Sequence, residues 1–301
     1  MEKVGRKFSI KRGWKPYLLL LPALLLVVGF MGYPLLYSVR ISFLNYNLMT
    51  PNDVRFIGFD NYKKLFSDSE VKYVLLNSVK WVVTVVFFQF ILGFILAMLL
   101  NKKFFGKKIY QSVVFLPWAV SGFLIGLIFK WVYSEHSGIL NFVLLKLGII
   151  DSPISWLGDG KYAMIGPITG MIWYGIPFFG IMILAALQSI PTDIFDSANI
   201  DGCSGIQKLF YIIIPFIKPT IIMTLLLRVI WVFNSPDIIY IMTGGGPANA
   251  SNILSLYVFN QAFYSLDFGY GAAVGILMMA LLVIYALIFL ALTRYERSGD
   301  F

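Results

Sequence analysis

Few residues in this chain have the chemistry of catalysis or metal binding. His136 is its single histidine and Cys203 its single cysteine, which excludes a histidine cluster, a multi-cysteine metal site and an internal disulfide. No Gly-Lys-Ser/Thr follows a glycine-rich run, so the phosphate cradle of a nucleotide hydrolase is missing. No paired carboxylates and no Ser/His/Asp set are placed for proton transfer or nucleophilic attack. The chain is expected to hold no metal and no cofactor of its own, and to be no enzyme. What it does hold is a polar stretch inside apolar surroundings: Asp196-Ser197-Ala198-Asn199-Ile200-Asp201-Gly202-Cys203-Ser204-Gly205, then Lys208-Leu209-Phe210 and Ile212-Ile213-Ile214-Pro215. Ser197 and Ala198 are small enough for a partner's backbone to come close, and Asp196 and Asp201 can meet a basic groove or cap a helix. The stretch reads either as a structured docking loop or as a solvated loop whose Asp-Gly is merely a turn.

The elements that must position this stretch are apolar. Hydrophobic residues make up 59% of the 301 positions and charged residues only 13%, about half the charged share of a soluble domain. That composition belongs to a membrane protein. Runs long enough to cross about 30 Å of hydrocarbon occupy residues 17–43, 74–100, 112–132, 163–187, 220–240 and 271–293. In lipid the backbone satisfies its own hydrogen bonds, so these are helices, with Pro22, Pro34, Pro117 and Pro177 as kinks or opening turns. The first run is too long for a signal peptide and lacks a small-residue cleavage site, so it is read as a retained anchor. The expected fold class is an all-α integral membrane protein with six transmembrane helices.

The net charge of +9 could point to nucleic acid, but the basic residues gather at the N-terminus and in short connections rather than on a globular domain. Topology explains them better. Lys3, Arg6, Lys7, Lys11, Arg12 and Lys15 precede the first run; Lys102, Lys103, Lys107 and Lys108 crowd the turn after the second; Arg294 and Arg297 follow the last. By the positive-inside rule these ends lie in the cytoplasm, both termini included. The 45–73 segment mixes both signs and the 236–268 connection has no basic residue, so both are placed outside. Six crossings then put residues 189–218 inside. Within them Pro191 and Asp193 are helix-start signals, 195–199 suits a short amphipathic helix, and Gly202 permits a left-handed turn before a second one.

Two further groups stand out. Thr243-Gly244-Gly245-Gly246-Pro247 permits a tight turn at the outer face, which is either a docking or closing element or an ordinary helix exit. Trp173 and Tyr174 in the fourth run, Arg228, Trp231 and Asn234 in the fifth and Asp237 at its outer end could line one cavity, the middle three sharing a helix face by their three-residue steps. Packing or interfacial roles are the alternative for the aromatics, and a structural pairing for Arg228. Gln89 and Asn77 are further polar residues within a span.

The order acid, two small residues, Asp-Gly, about a dozen positions and then Ile-x-x-Pro resembles the EAA loop of inner-membrane permeases in binding-protein-dependent ABC importers. Asp196 stands where that family usually has glutamate, and Ser197 and Cys203 where it has alanine; Gly202 and Pro215 match as they stand. Phe233-Asn234-Ser235-Pro236-Asp237 followed by Thr-Gly-Gly-Gly-Pro looks like the sugar-importing branch, whose permeases resemble the maltose and glycerol-phosphate systems. The resemblance implies an importer-type permease bundle over residues 73–294, preceded by a first helix and external loop at 17–72, with cytoplasmic tails at 1–16 and 295–301. It implies that Asp196, Ser197, Ala198, Asp201, Gly202 and Pro215 form the coupling-helix loop that touches the ATPase. It also implies partners: a second permease, favoured as a different homologous chain; two copies of a cytosolic ATPase that holds ATP and Mg; and an extracytoplasmic solute-binding protein. The place would be a bacterial or archaeal inner membrane, and the cargo a sugar or oligosaccharide, held by hydrogen bonds and ring stacking at the polar and aromatic residues named above. The alternative is a gradient-driven carrier of a small polar solute, which needs a titratable or cation-coordinating group near the midplane and often two inverted halves, neither visible here. A membrane scaffold without transport would leave the 196–215 loop unexplained.

Overall fold

The computed structural model of the protein describes residues 15–293. The tail expected at 295–301 and all but the last two residues of that expected at 1–16 lie outside the described residues, with Lys3, Arg6, Lys7, Lys11, Arg12, Arg294 and Arg297 among them. The first span is α1 (Lys15–Val27) and α2 (Tyr33–Ile41), joined through a wide helical turn at Val28–Gly32. Pro34 sits in the first turn of α2, and Pro22 lies inside α1. This span buries none of its apolar window inside the chain, while its end, at Leu35, Ser38 and Ile41, lines a groove with Phe268, Gly271 and Gly275.

Outside the bundle a small two-stranded sheet accompanies the helices. β1 (Leu44–Asn45) and β2 (Arg55–Phe56) pair antiparallel, and α3 (Asp60–Ser67) folds back on them. Asn61 Nδ2 donates to the carbonyls of Ser42 (2.9 Å) and Leu44 (3.0 Å), which ties α3 to the end of the first span.

The second span is α4 (Ser69–Asn101). At about 1.5 Å per residue its 33 residues exceed the hydrocarbon thickness, and its first turn is capped by the Asp68 carboxylate, which accepts from the Glu70 N–H at 2.8 Å. The third span departs from expectation. Instead of one helix over 112–132, the chain forms α5 (Lys107–Ala119) and α6 (Gly122–Val132), bent by 95°. Pro117 lies inside α5, which ends two residues later; Val120 and Ser121 adopt extended backbone, and the Ser121 hydroxyl restarts the helix by accepting from Leu124 N–H. The structure thus holds five candidate spans and one bent pair among the described residues.

After α7 (Ile139–Lys146) comes a loop organised by Asn141, which donates to the carbonyls of Glu135 and Ile154 and accepts from Trp156 Nε1 at 2.8 Å. α8 (Ile165–Gln188) is the fourth span. It runs parallel to α4: Gln89 lies beside Met171 and Gly175, and four residues on Gly93 lies against Phe179 and Gly180. Parallel packing puts the ends of α4 and α8 at the same side of the bundle. α9 (Thr192–Ile200) and α10 (Gly205–Lys208) follow there, then a wide turn at Leu209–Ile213 and α11 (Ile214–Phe233). The fifth span expected at 220–240 begins earlier and is interrupted at 234–236 before α12 (Asp237–Met242).

The 236–268 connection, expected to be loop, contains α12 and α13 (Leu254–Phe263). α14 (Phe268–Thr293) is the last span. The main core forms where α4, α8 and α11 meet, around Trp81, Phe179, Ile183 and Val232; Trp81 Nε1 donates to the Val232 carbonyl at 3.0 Å. A second cluster, with Leu65, Val74, Tyr257 and Tyr270, joins α3, α4, α13 and α14 at the other end.

Candidate functional site

The polar stretch folds as the local signals require. Pro191 is the N-cap of α9, Asp193 lies in its first turn, and Gly202 turns the chain at φ +72°. Ser204 and Gln207 form a reciprocal capping box that starts α10, with the Gln207 Oε1 accepting from Ser204 N–H at 2.7 Å. Lys208 Nζ reaches back to Asn199 Oδ1 and clamps the two helices together. Asp196, Ser197, Asp201 and Gly202 are exposed, but the two small residues divide their roles. Ala198 is buried against its own chain, where its carbonyl accepts from Cys203 N–H at 2.9 Å, whereas Ser197 stays at the surface with its hydroxyl donating to the Asp193 carbonyl. Beside the acids, Ile200, Ile206, Phe210 and Tyr211 stand well exposed. Pro215 lies in the first turn of α11, directly after the wide turn at Leu209–Ile213.

Inside the bundle a polar seam crosses α4, α8 and α11. Arg228 is only 2% exposed. Its Nε donates to Gln89 Oε1 at 2.6 Å, and Gln89 Nε2 donates to the Met171 carbonyl at 2.5 Å. The crossing exists because position 175 is glycine: a Cβ there would overlap both the Gln89 amide and the Arg228 guanidinium. One terminal nitrogen of Arg228 has no hydrogen-bond partner, and the guanidinium carbon lies 5.5 Å from the Phe178 ring centre.

Phe178 is the centre of an aromatic group. Its ring lies 5.2 Å from Trp231 and 6.2 Å from Trp118, both of which are partly open to the surroundings. Asp237 is exposed, packed on Gly122 where α6 begins. Trp231, Arg228 and Asp237 thus gather around the α5–α6 break. Trp173 is on another side, against Phe129 of α6 at 5.9 Å, and Tyr174, next to it in sequence, is half-buried. Asn234 does not share the face of Arg228. Two three-residue steps leave it about 120° away around a helix of 3.6 residues per turn, where it lines a groove with Met278 and Met279 of α14. Trp118 went unnoticed in the sequence; its signal was a tryptophan directly after the proline of an interrupted span.

The glycine turn is built as a rigid loop. Gly244 and Gly245 have φ of +61° and +91°. The Thr243 hydroxyl lies 2.7 Å from that of Ser251 and accepts from Gly245 N–H, while Ser251 Oγ donates to the Gly246 carbonyl. Asn77 of α4 donates to the Asn249 carbonyl at 3.0 Å, so the turn that Gly246 and Pro247 close is anchored to the end of α4 remote from α9. Nearby, burial and the Glu70 and Asp68 carboxylates push the Tyr257 hydroxyl up to about 12, so it remains a neutral donor there.

Comparison with known proteins places this architecture. Residues 89–297 match the family described as binding-protein-dependent transport system inner membrane component. A trehalose/maltose transport system permease of Thermococcus litoralis is 33% identical, with 94% of each chain covered. A sulfoquinovosyl glycerol transport system permease of Agrobacterium fabrum is 33% identical over 92% of this chain and 89% of its own. In fold, the chain superposes on a subunit in the crystal structure of a bacterial alginate ABC transporter in complex with an alginate pentasaccharide-bound periplasmic protein, with a TM-score of 0.82, 23% identity and 97% of each chain covered. With a family match over most of its bundle and full-length relatives at one-third identity, the chain belongs to the inner-membrane permease components of binding-protein-dependent ABC transport systems.

Proposed function

We propose that this chain is one permease half of an ATP-driven importer that carries a sugar or oligosaccharide delivered by an extracytoplasmic binding protein. The observation that carries this reading is the pair α9–α10: a short, capped, clamped helix pair that projects Asp193, Asp196 and Asp201 beside exposed Ile200 and Ile206 at one end of the bundle. Such a surface is made to be covered, by a groove with an apolar floor and basic walls. A cytosolic ATPase, present in two copies and holding ATP and Mg, would supply that groove, and closure of its dimer would move α9–α10 and with them α8 and α11. The second permease subunit, favoured as a different homologous chain, would complete the path. In this reading the α9 end faces the cytoplasm of a bacterial or archaeal cell and the 243–251 turn faces the binding protein.

Trp231, Phe178, Trp118 and Asp237 supply ring faces and a hydrogen-bonding carboxylate, which is the chemistry a sugar ring meets. Relatives named for trehalose/maltose and for sulfoquinovosyl glycerol support a carbohydrate as the cargo. The gradient-driven alternative lacks a group to titrate: the buried charged side chain among the described residues is Arg228, and a guanidinium keeps its proton.

The test uses the single thiol. A short photo-crosslinker attached at Cys203 in membranes is expected to capture an ATPase, identified by mass spectrometry. Labelling of Cys203 by an impermeant reagent from outside would overturn the orientation, and an inside-facing Cys203 that captures no ATPase would overturn the coupling role.

A further inference from the structure

The turn joining α4 to α5 lies at the same end of the bundle as α9–α10 and carries the opposite charge. Within residues 101–110, Lys102, Lys103, Lys107 and Lys108 flank Phe104 and Phe105. Among the described residues none of these four ammonium groups takes part in an ion pair. Phe105 projects fully clear of the protein. Gly106, at φ +77°, swings the chain into α5, whose first turn has no side-chain cap. From there Ile109, Tyr110, Val113 and Leu116 lay an exposed apolar stripe along α5 at helical spacing, and the Phe104 ring meets Tyr110 edge-on at 6.0 Å.

Charge separates this turn from its neighbour. A groove suited to Asp193, Asp196 and Asp201 is basic and repels four lysines. The occupant that suits the lysine turn is anionic at one end and apolar at the other, so that a single molecule can meet the ammonium groups, Phe105 and the stripe together. We propose that residues 101–110 are a binding site for an anionic phospholipid: the lysines hold its headgroup phosphate, and Phe105 and the α5 stripe lie among its acyl chains. The proposal rests on the orientation given above only for which leaflet supplies the lipid.

The test is lipid retention by the complete transporter. It is reconstituted in phosphatidylcholine bilayers with a minor fraction of phosphatidylglycerol and then purified, and the lipids that remain bound are measured by mass spectrometry. The parent protein is expected to retain phosphatidylglycerol several-fold above the supplied ratio. A variant with Lys102→Gln, Lys103→Gln, Lys107→Gln and Lys108→Gln is expected to return to that ratio, and Phe105→Ala to fall part of the way. The Lys102→Gln/Lys103→Gln pair alone keeps the test decisive should the fourfold change hinder insertion, because Lys107 and Lys108 remain to hold the topology. Equal enrichment in the parent and both lysine variants overturns the proposal. So does capture of the ATPase by a photoreactive side chain installed at position 105, which would make the turn a protein contact. Enrichment that survives alongside outside labelling of Cys203 sustains the site and moves it to the other leaflet, so only the orientation fails.

Discussion

At Gly175 a hydrogen stands where any other residue would put a carbon between Gln89 and Arg228. The three-helix crossing depends on it. Gly175→Ala is expected to destabilise the bundle by about 1–3 kcal/mol through overpacking, read as a lower midpoint of thermal unfolding in detergent; an unchanged midpoint would mean that the seam has room. Gln89 and Arg228 should also behave as a unit, because each leaves the other's polar group buried and alone. In a double-mutant cycle, Gln89→Leu with Arg228→Met is expected to cost less than the sum of the single changes, with a coupling of about 0.5–3 kcal/mol. Strict additivity would show that the hydrogen bond contributes nothing. Gly202, at φ +72°, is the corresponding position in the loop. Gly202→Trp adds about 1–2 kcal/mol of left-handed strain and a bulky ring on an exposed turn, and should abolish ATP-driven uptake without preventing insertion. Normal uptake by that variant would sink the coupling role.

Among the elements, the bent pair of α5 and α6 decides most about the polar path, because it brings Trp118 to Phe178 and Gly122 to Asp237. α6 is held by α12 at Gly126, where a Cβ would come within 2.9 Å of the Ile241 Cβ. Gly126→Val is expected to push α6 off α12 at a cost of about 1–3 kcal/mol. Its signature should be reduced uptake with α9–α10 still able to capture the ATPase through Cys203; loss of both together would mean a general unfolding instead. The bend was not legible in the run of apolar residues at 112–132, since hydropathy is the same whether a helix passes straight through or turns at Val120. Ser121 and Gly122 after Pro117 were the available signs. The α9–α10 pair, by contrast, was legible down to its turn, because Pro191, Asp193, Gly202 and Ser204 act through their own backbone and need no distant partner.

For the whole molecule the outstanding feature is how much apolar surface one chain leaves uncovered. The apolar window of the first span is unburied, and Trp118 and Trp231 are open beside the polar seam. Lipid accounts for the aliphatic faces, but tryptophans beside a carboxylate and a guanidinium suit a wet or partnered surface better. A second permease subunit would cover them, and binding to the folded state stabilises it by mass action. Co-expression with its partner permease is accordingly expected to raise the thermal unfolding midpoint of this chain by several degrees over the chain alone; identical midpoints would argue against a paired assembly.

The sequence by itself determined that the chain crosses a membrane, where most crossings fall, and that residues 191–208 form a helix-turn-helix. Each of these follows from local hydropathy, caps or glycine conformations. Tertiary structure alone decided that Arg228 bonds Gln89 across two helices while Asn234 turns away to α14, that Ala198 is buried by its own chain, and that the third span bends to place Trp118 beside Phe178. The physical reason is that these outcomes depend on the rotation of each helix about its axis. That rotation is set by how glycines such as Gly93 and Gly175 let neighbouring helices approach, and in an apolar solvent hydropathy carries little information about it.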